Sequence, residues 1–119
     1  MENALMRGEI IWWYGNEEYF VTPVSGFVSE NMVQFTTEPN KDDGDAKEGY
    51  RVNLIRKEIG TVYEGHYTAI GNDSVNGRVE CEVYKSIEGS EKFVLHGNWY
   101  QKGQYYWFAR FKSLNFPNQ

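Results

Sequence analysis

The 119 residues suffice for one domain around one core, and 4 Trp, 9 Tyr and 7 Phe tilt that core towards β-structure. The formal charge is −5, with 11 acids and 6 bases in residues 1–59 and 6 of each in residues 60–119, so no basic stripe is legible and nucleic acid is disfavoured as a partner. A single cysteine forbids an intrachain disulfide, no apolar run is long enough for a membrane helix, and the start MENALMRGEIIWW has neither a basic opening nor an apolar signal core, so the chain reads as cytoplasmic; a secreted form without its signal would read the same.

Met1 to Arg7 read as a frayed lead. Gly8 to Tyr14 read as a strand apolar on both faces, in which Trp12 and Trp13 point opposite ways; burial on both faces is preferred there to a partner patch. After a turn, Tyr19 to Val28 form an extended segment interrupted by Pro23 and Gly26, and a proline without an N–H argues for an edge or a bulge. Met32 to Glu38 form a third strand with Val33, Phe35 and Thr37 on one face. Residues 39–49 read as a mobile acidic loop. Its Asp43 and Asp45 lack the spacing, glycine and distal glutamate of a calcium loop, so a solvated loop is expected. Tyr50 to Ile59 fits a strand through Tyr50, Val52 and Leu54, and a helix through Val52, Ile55 and Ile59; the surrounding hairpins favour a strand.

Thr61 to Leu114 reads as four consecutive strands, 61–70, 78–87, 92–101 and 104–114, whose short polar connections make them antiparallel. Alternation puts Tyr63, Gly65, Tyr67 and Ala69 on the inward face of the first, and Val79, Cys81, Val83 and Ile87 on that of the second. Phe93, Leu95, Gly97 and Trp99, then Tyr105, Trp107, Ala109 and Phe111, complete that face. Pairing residues 70 with 78, 87 with 93 and 100 with 104 aligns Gly65, Val83, Gly97 and Trp107, with the indole over two residues that have no side chain. The next row is Tyr67, Cys81, Trp99 and Tyr105. The opposite face is polar, with His66, Glu82, Asn98 and Tyr106 in one row and Phe108 as a misfit to be covered by the N-terminal segment.

Seven or eight short strands in meander order leave exposed edges, which closure removes. The expected class is all-β: one domain, residues 1–119, an antiparallel meander of 7–8 strands closing into a small barrel. On this meander, and on Gly65-His66-Tyr67, Gly97-Asn98-Trp99-Tyr100 and Tyr106-Trp107, the chain resembles the calycin-type barrels, the lipocalin and avidin group. The lipocalin Gly-x-Trp opening is absent, since Gly8 and Trp12 are spaced differently, and no binding residue carries over. The resemblance implies a cavity opening at one barrel end for a small apolar or amphipathic ligand.

Several tyrosines on an inward face require partners for their hydroxyls, from a polar network or from a ligand. The ligand-binding set is therefore Tyr63, Tyr67, Trp99, Tyr105 and Trp107, with Lys85 as a mouth cation able to meet an anionic head group. A packed core with hydroxyls at the rim, and a lysine snorkelling outward, account for the same residues. The outer His66, Glu82, Asn98 and His96 suit a general base or half a metal site, but cross-strand pairing on a solvated face explains them, and no metal or cofactor is assigned. Cys81 reads as a buried structural thiol. No nucleophile elbow, HExxH, CxxC or P-loop is present, which leans against an enzyme. The leading expectation is a non-enzymatic small-molecule binder, with no nucleic-acid or membrane partner. The alternative is a protein-interaction module, an inhibitor, adaptor or homodimer, acting through an outward Trp12 or Trp13 with Tyr84, Tyr106 and Phe108.

Overall fold

Period-two burial runs through the chain: Met32–Thr37 and most of Tyr50–Arg56 alternate residue by residue between core and surface. The computed structural model describes residues 4–14, 18–40, 47–58, 60–87, 92–100 and 103–113. It contains eight strands: β1 (Ala4–Tyr14), β2 (Glu18–Val28), β3 (Met32–Thr37), β4 (Tyr50–Arg56), β5 (Val62–Ala69), β6 (Asn72–Lys85), β7 (Lys92–Tyr100) and β8 (Gln104–Ser113). Each pairs antiparallel with its sequence neighbours, and β8 pairs with β1, so the up-and-down meander closes into a barrel. Eight strands enclose a space just wide enough for side chains to fill. Ile10, Val33, Val52, Val79, Leu95, Trp107 and Ala109 are fully buried within it.

Four expectations are corrected. Residues 4–7 do not fray; all four pair with β2, Met6 and Arg7 also pair with β8, and Met6 is core. The polar run after Gly71 is not a loop. Gly71 takes a positive φ of 81° in a tight turn, so β6 starts at Asn72 and runs for 14 residues. Against β5 the register of Val62–Thr68 shifts by four residues, with a bulge between Thr68 and Ala69, and against β7 it shifts by two. Trp107 still faces Gly97, as expected, but the row continues through Cys81 to Tyr63 in place of Val83 and Gly65. Even shifts preserve the faces, so every inward residue expected in β7 and β8 stays inward. Finally, β1 is not buried on both sides: Trp12 lies inside and Trp13 outside, 38% exposed. Tyr50–Arg56 is a strand, as preferred, while Ile59 and the calcium reading of Asp43 and Asp45 fall outside the described residues. Pro23 needs no bulge. It lies one residue beyond the β2–β3 pairing, which begins at Val24↔Thr37.

Closure depends on strands approaching too closely for a side chain. A Cβ on Gly8 would sit 1.5 Å from the Arg110 carbonyl oxygen, and one on Gly97 would sit 2.0 Å from that of Glu80. Both contacts are with the backbone of the neighbouring strand. Glycine at these positions lets a strand coil sharply, which a small closed barrel requires.

Candidate functional site

The inward residues form two different ends. One end carries the β1–β2, β3–β4, β5–β6 and β7–β8 connections. There Trp12, Tyr50, Tyr67 and Trp99 pack into an aromatic plug. The Tyr67 and Trp99 rings stack with centroids 4.5 Å apart, while Tyr50 and Trp12 meet Trp99 edge-on at 5.0 and 5.7 Å. The plug uses the smallness of Gly77: a Cβ there would lie 2.9 Å from the Tyr67 ring. The Tyr67 hydroxyl donates to the Tyr100 carbonyl at 3.0 Å, so its polar atom is satisfied at the rim.

The opposite end carries the start of β1, the end of β8 and the β2–β3, β4–β5 and β6–β7 connections. It opens as a cleft of about 250 Å³ lined by Val28, Arg56, Tyr63, Val83, Lys85 and Phe93, among others. Val28 and Tyr63 are buried, Val83 and Phe93 half-buried, and Lys85 exposed. Tyr63 fixes one wall. Its hydroxyl donates to the Glu30 carbonyl at 2.7 Å and more weakly to that of Ser29 at 3.3 Å, which ties the β2–β3 turn to β5. Burial, the largest cause, raises the Tyr63 phenol above its ordinary range against the opposing pull of Arg56, so it stays a neutral donor. Arg56 braces the rim by donating to the Gly60 carbonyl at 3.0 Å. Among the described residues no ion pair engages the Lys85 amine.

The six ligand-binding residues expected from the sequence are thus divided. Tyr63 and Lys85 share the mouth. Tyr67 and Trp99 belong to the plug, and Tyr105, half-buried, pairs with Trp99 across β7–β8 at that end. Trp107 lies between, fully buried, with its ring 5.9 Å from Phe35. Its indole Nε1 is a buried donor with no acceptor among the described residues. The sequence reading missed Arg56, whose place at the end of β4 gave no periodic signal.

The outer polar row is dispersed by the register of β6. His66 pairs with Arg78 and Asn53, and Glu82 with His96 and Val62. Glu80 is the hub instead. It accepts from Arg78 at 2.8 Å, from Asn98 at 3.2 Å and from Tyr100 at 3.1 Å, which satisfies both its oxygens. Glu82 accepts from Tyr84 and lies 3.7 Å from His96 Nε2. Arg78–Glu80 and Tyr84–Glu82 are neighbours along β6, and the contacts to Asn98, Tyr100 and His96 cross to β7, all on a solvated face. Among the described residues no three His, Cys, Asp or Glu side chains group as a metal site.

Outward aromatics gather on β1, β2 and β8. Trp13 and Tyr106 lie 5.3 Å apart, beside Tyr19, and the adjacent row holds Val21, Ile11 and Phe108. Phe108 is half-buried by these neighbours and not covered by a separate segment. Tyr84 stacks on His96, whose ring lies 6.1 Å from Tyr106, so Tyr84 joins this group through His96.

Cys81 is buried, and burial, reinforced by Glu82 and Glu80, pushes its thiol far above the ordinary range. The native protein is therefore expected to resist a disulfide exchange reagent at pH 8 and to label fully in denaturant. Native labelling at the rate of a free thiol would contradict this placement.

Comparison of the chain with protein families, with curated proteins and with solved structures finds no match to any of them.

Proposed function

We propose that the protein is a non-enzymatic binder of a small amphipathic anion, held at the barrel mouth. The observation that carries this reading is the pairing of an apolar lining, Val28, Val83 and Phe93, with two cations, Arg56 and Lys85, against one acidic residue, Glu30, around one cleft of about 250 Å³. That volume sits just below the usual range of about 300–1,000 Å³ for drug-sized ligands, so the fitting ligand is small. An apolar tail entering beside Val83 and Phe93 would bring its anionic head to the rim.

Octanoate and octanol, matched in tail and differing in charge, test the reading. Octanoate is expected to raise the thermal midpoint saturably, and octanol much less. Lys85→Gln is expected to weaken octanoate binding by about threefold to tenfold, the range for a charge-assisted contact at an exposed rim. No midpoint change with either probe, or an unchanged octanoate affinity in Lys85→Gln, would remove the mouth as the site.

One observation favours a second reading, a protein-interaction module. Trp13, Tyr19, Val21 and Tyr106 are exposed together on β1, β2 and β8. Aromatic side chains grouped in this way are characteristic of interface cores.

A further inference from the structure

The closed register brings together cations that lie far apart in the sequence. Lys92 pairs with Lys112, Lys112 with Arg7, Arg7 with Ser25, Ser25 with Thr36, and Thr36 with Arg51. These six side chains form one outward row across β7, β8, β1, β2, β3 and β4. All four charges on it are positive, in a protein whose formal charge is −5. Among the described residues no carboxylate pairs with Arg7, Arg51, Lys92 or Lys112. The nearest basic neighbour, Arg110, is already engaged by Glu9 at 3.1 Å. The row on the other side of the belt, Leu5, Phe27, Gln34, Asn53, His66 and Arg78, also holds no carboxylate.

Like charges directly opposite each other work against sheet stability. Lys92, Lys112 and Arg7 make two such pairs in succession, and the one carboxylate in their groove, Glu9, is engaged by Arg110. Two outer grooves follow this row. One, of about 460 Å³, is lined by Arg7, Lys92 and Lys112 together with the Glu9–Arg110 pair, and the other, of about 240 Å³, by Ser25, Thr36 and Arg51 among others. The hydroxyls of Ser25 and Thr36 carry the row of donors from one cationic group to the other.

We propose that this belt binds a flexible chain of phosphate groups, independently of the mouth. Strands in a sheet lie about 4.8 Å apart, so six of them span roughly 24 Å of curved surface. The curvature selects the ligand. A flat bilayer touches only a few strands of a narrow barrel at once, whereas a flexible polyanion follows the belt around it. Arginine forks and lysine ammonium groups both bind phosphate oxygens. Phe27 and His66 are the two rings in the flanking row, three strands apart on β2 and β5, which provides no continuous series of stacking platforms for bases. Recognition therefore falls on the phosphates.

The test is a two-dimensional amide NMR titration of the full chain with tripolyphosphate, repeated over a salt series. Shifts are expected at residues of the belt, with an affinity that falls as salt rises. The double variant Arg7→Gln, Lys112→Gln is expected to bind at least about tenfold more weakly, and Arg51→Gln about threefold. Lys57→Gln, off the belt, is expected to bind as the parent does. Thermal melts establish that each variant is folded, and removing like-charge pairs is expected to leave the midpoint unchanged or raised. Oligothymidylate that competes for the same signals supports phosphate recognition. Its binding without any tripolyphosphate binding would overturn the proposal in favour of base recognition. Shifts spread evenly over all lysines, or an unchanged affinity in the double variant, would also overturn it.

Discussion

Gly97→Ala and Gly97→Val are both expected to destabilise the barrel by more than about 3 kcal/mol, and by similar amounts. The clash begins at the first added atom. A Cβ at residue 97 would lie 2.0 Å from the Glu80 carbonyl oxygen and 2.6 Å from the Cys81 Cα, both in the backbone of β6. A backbone cannot yield as a flexible side chain does, so β6 and β7 must separate and the β6–β7 ladder must break. Overpacking in a core typically costs about 1–3 kcal/mol and occasionally more. A backbone clash belongs at the upper end, a large share of the roughly 5–15 kcal/mol that holds a domain folded. Urea unfolding of the glycine, alanine and valine forms measures it, with the slope checked for constancy. The comparison of alanine with valine identifies the obstacle. The sequence alone places the Trp107 ring over Gly97, and a ring would tolerate alanine and reject valine. A tolerated alanine would therefore mean that the strands are further apart than described here.

The same residue shows how much the sequence disclosed and where it stopped. Alternation identified the inward face of each C-terminal strand, because face depends only on parity, and it failed at Ile87, which lies past the end of β6 and is fully exposed. It placed Tyr63, Tyr67, Trp99 and Trp107 inside, and all four are buried. Register needs the turn, and the turn was misread. Asn72, Asp73, Ser74 and Asn76 have loop composition, yet they form the first part of β6, a bulged stretch paired to β5 at Asn72 and Asn76, within which Ser74 donates to Asn72 and the Asn76 amide to the Asp73 carbonyl. The mouth was half legible: Lys85 followed from alternation, while Arg56 sits where a strand ends and the pattern stops. The cationic belt was not legible at all. Its charged members come from β1, β4, β7 and β8, so no window along the chain contains more than one or two of them. Only the register assembles it.

Trp99→Ala tests the division of the barrel into a plug and a mouth. The residue is 2% exposed and contacts three other rings of the plug. Truncating a buried tryptophan costs about 3–5 kcal/mol, which for a domain of this size lowers the thermal midpoint by more than about 10 °C. Trp13→Ala, on the exposed face, is expected to change stability by less than about 1 kcal/mol. Near-UV circular dichroism should collapse for the first variant and persist for the second, since Trp99 is coupled edge-on to Trp12 and stacked on Tyr67. Added indole distinguishes packing from ligand binding. If Trp99 is structural, the apolar void left by alanine should bind indole and recover part of the lost midpoint, as dry engineered cavities bind small aromatics. Octanoate affinity at the mouth should then be unaffected, because the plug and the mouth lie at opposite ends of the barrel. A mild loss of stability combined with loss of octanoate binding would reverse the assignment: Trp99 would line the ligand site, and the interior would bind from the end that the plug occupies.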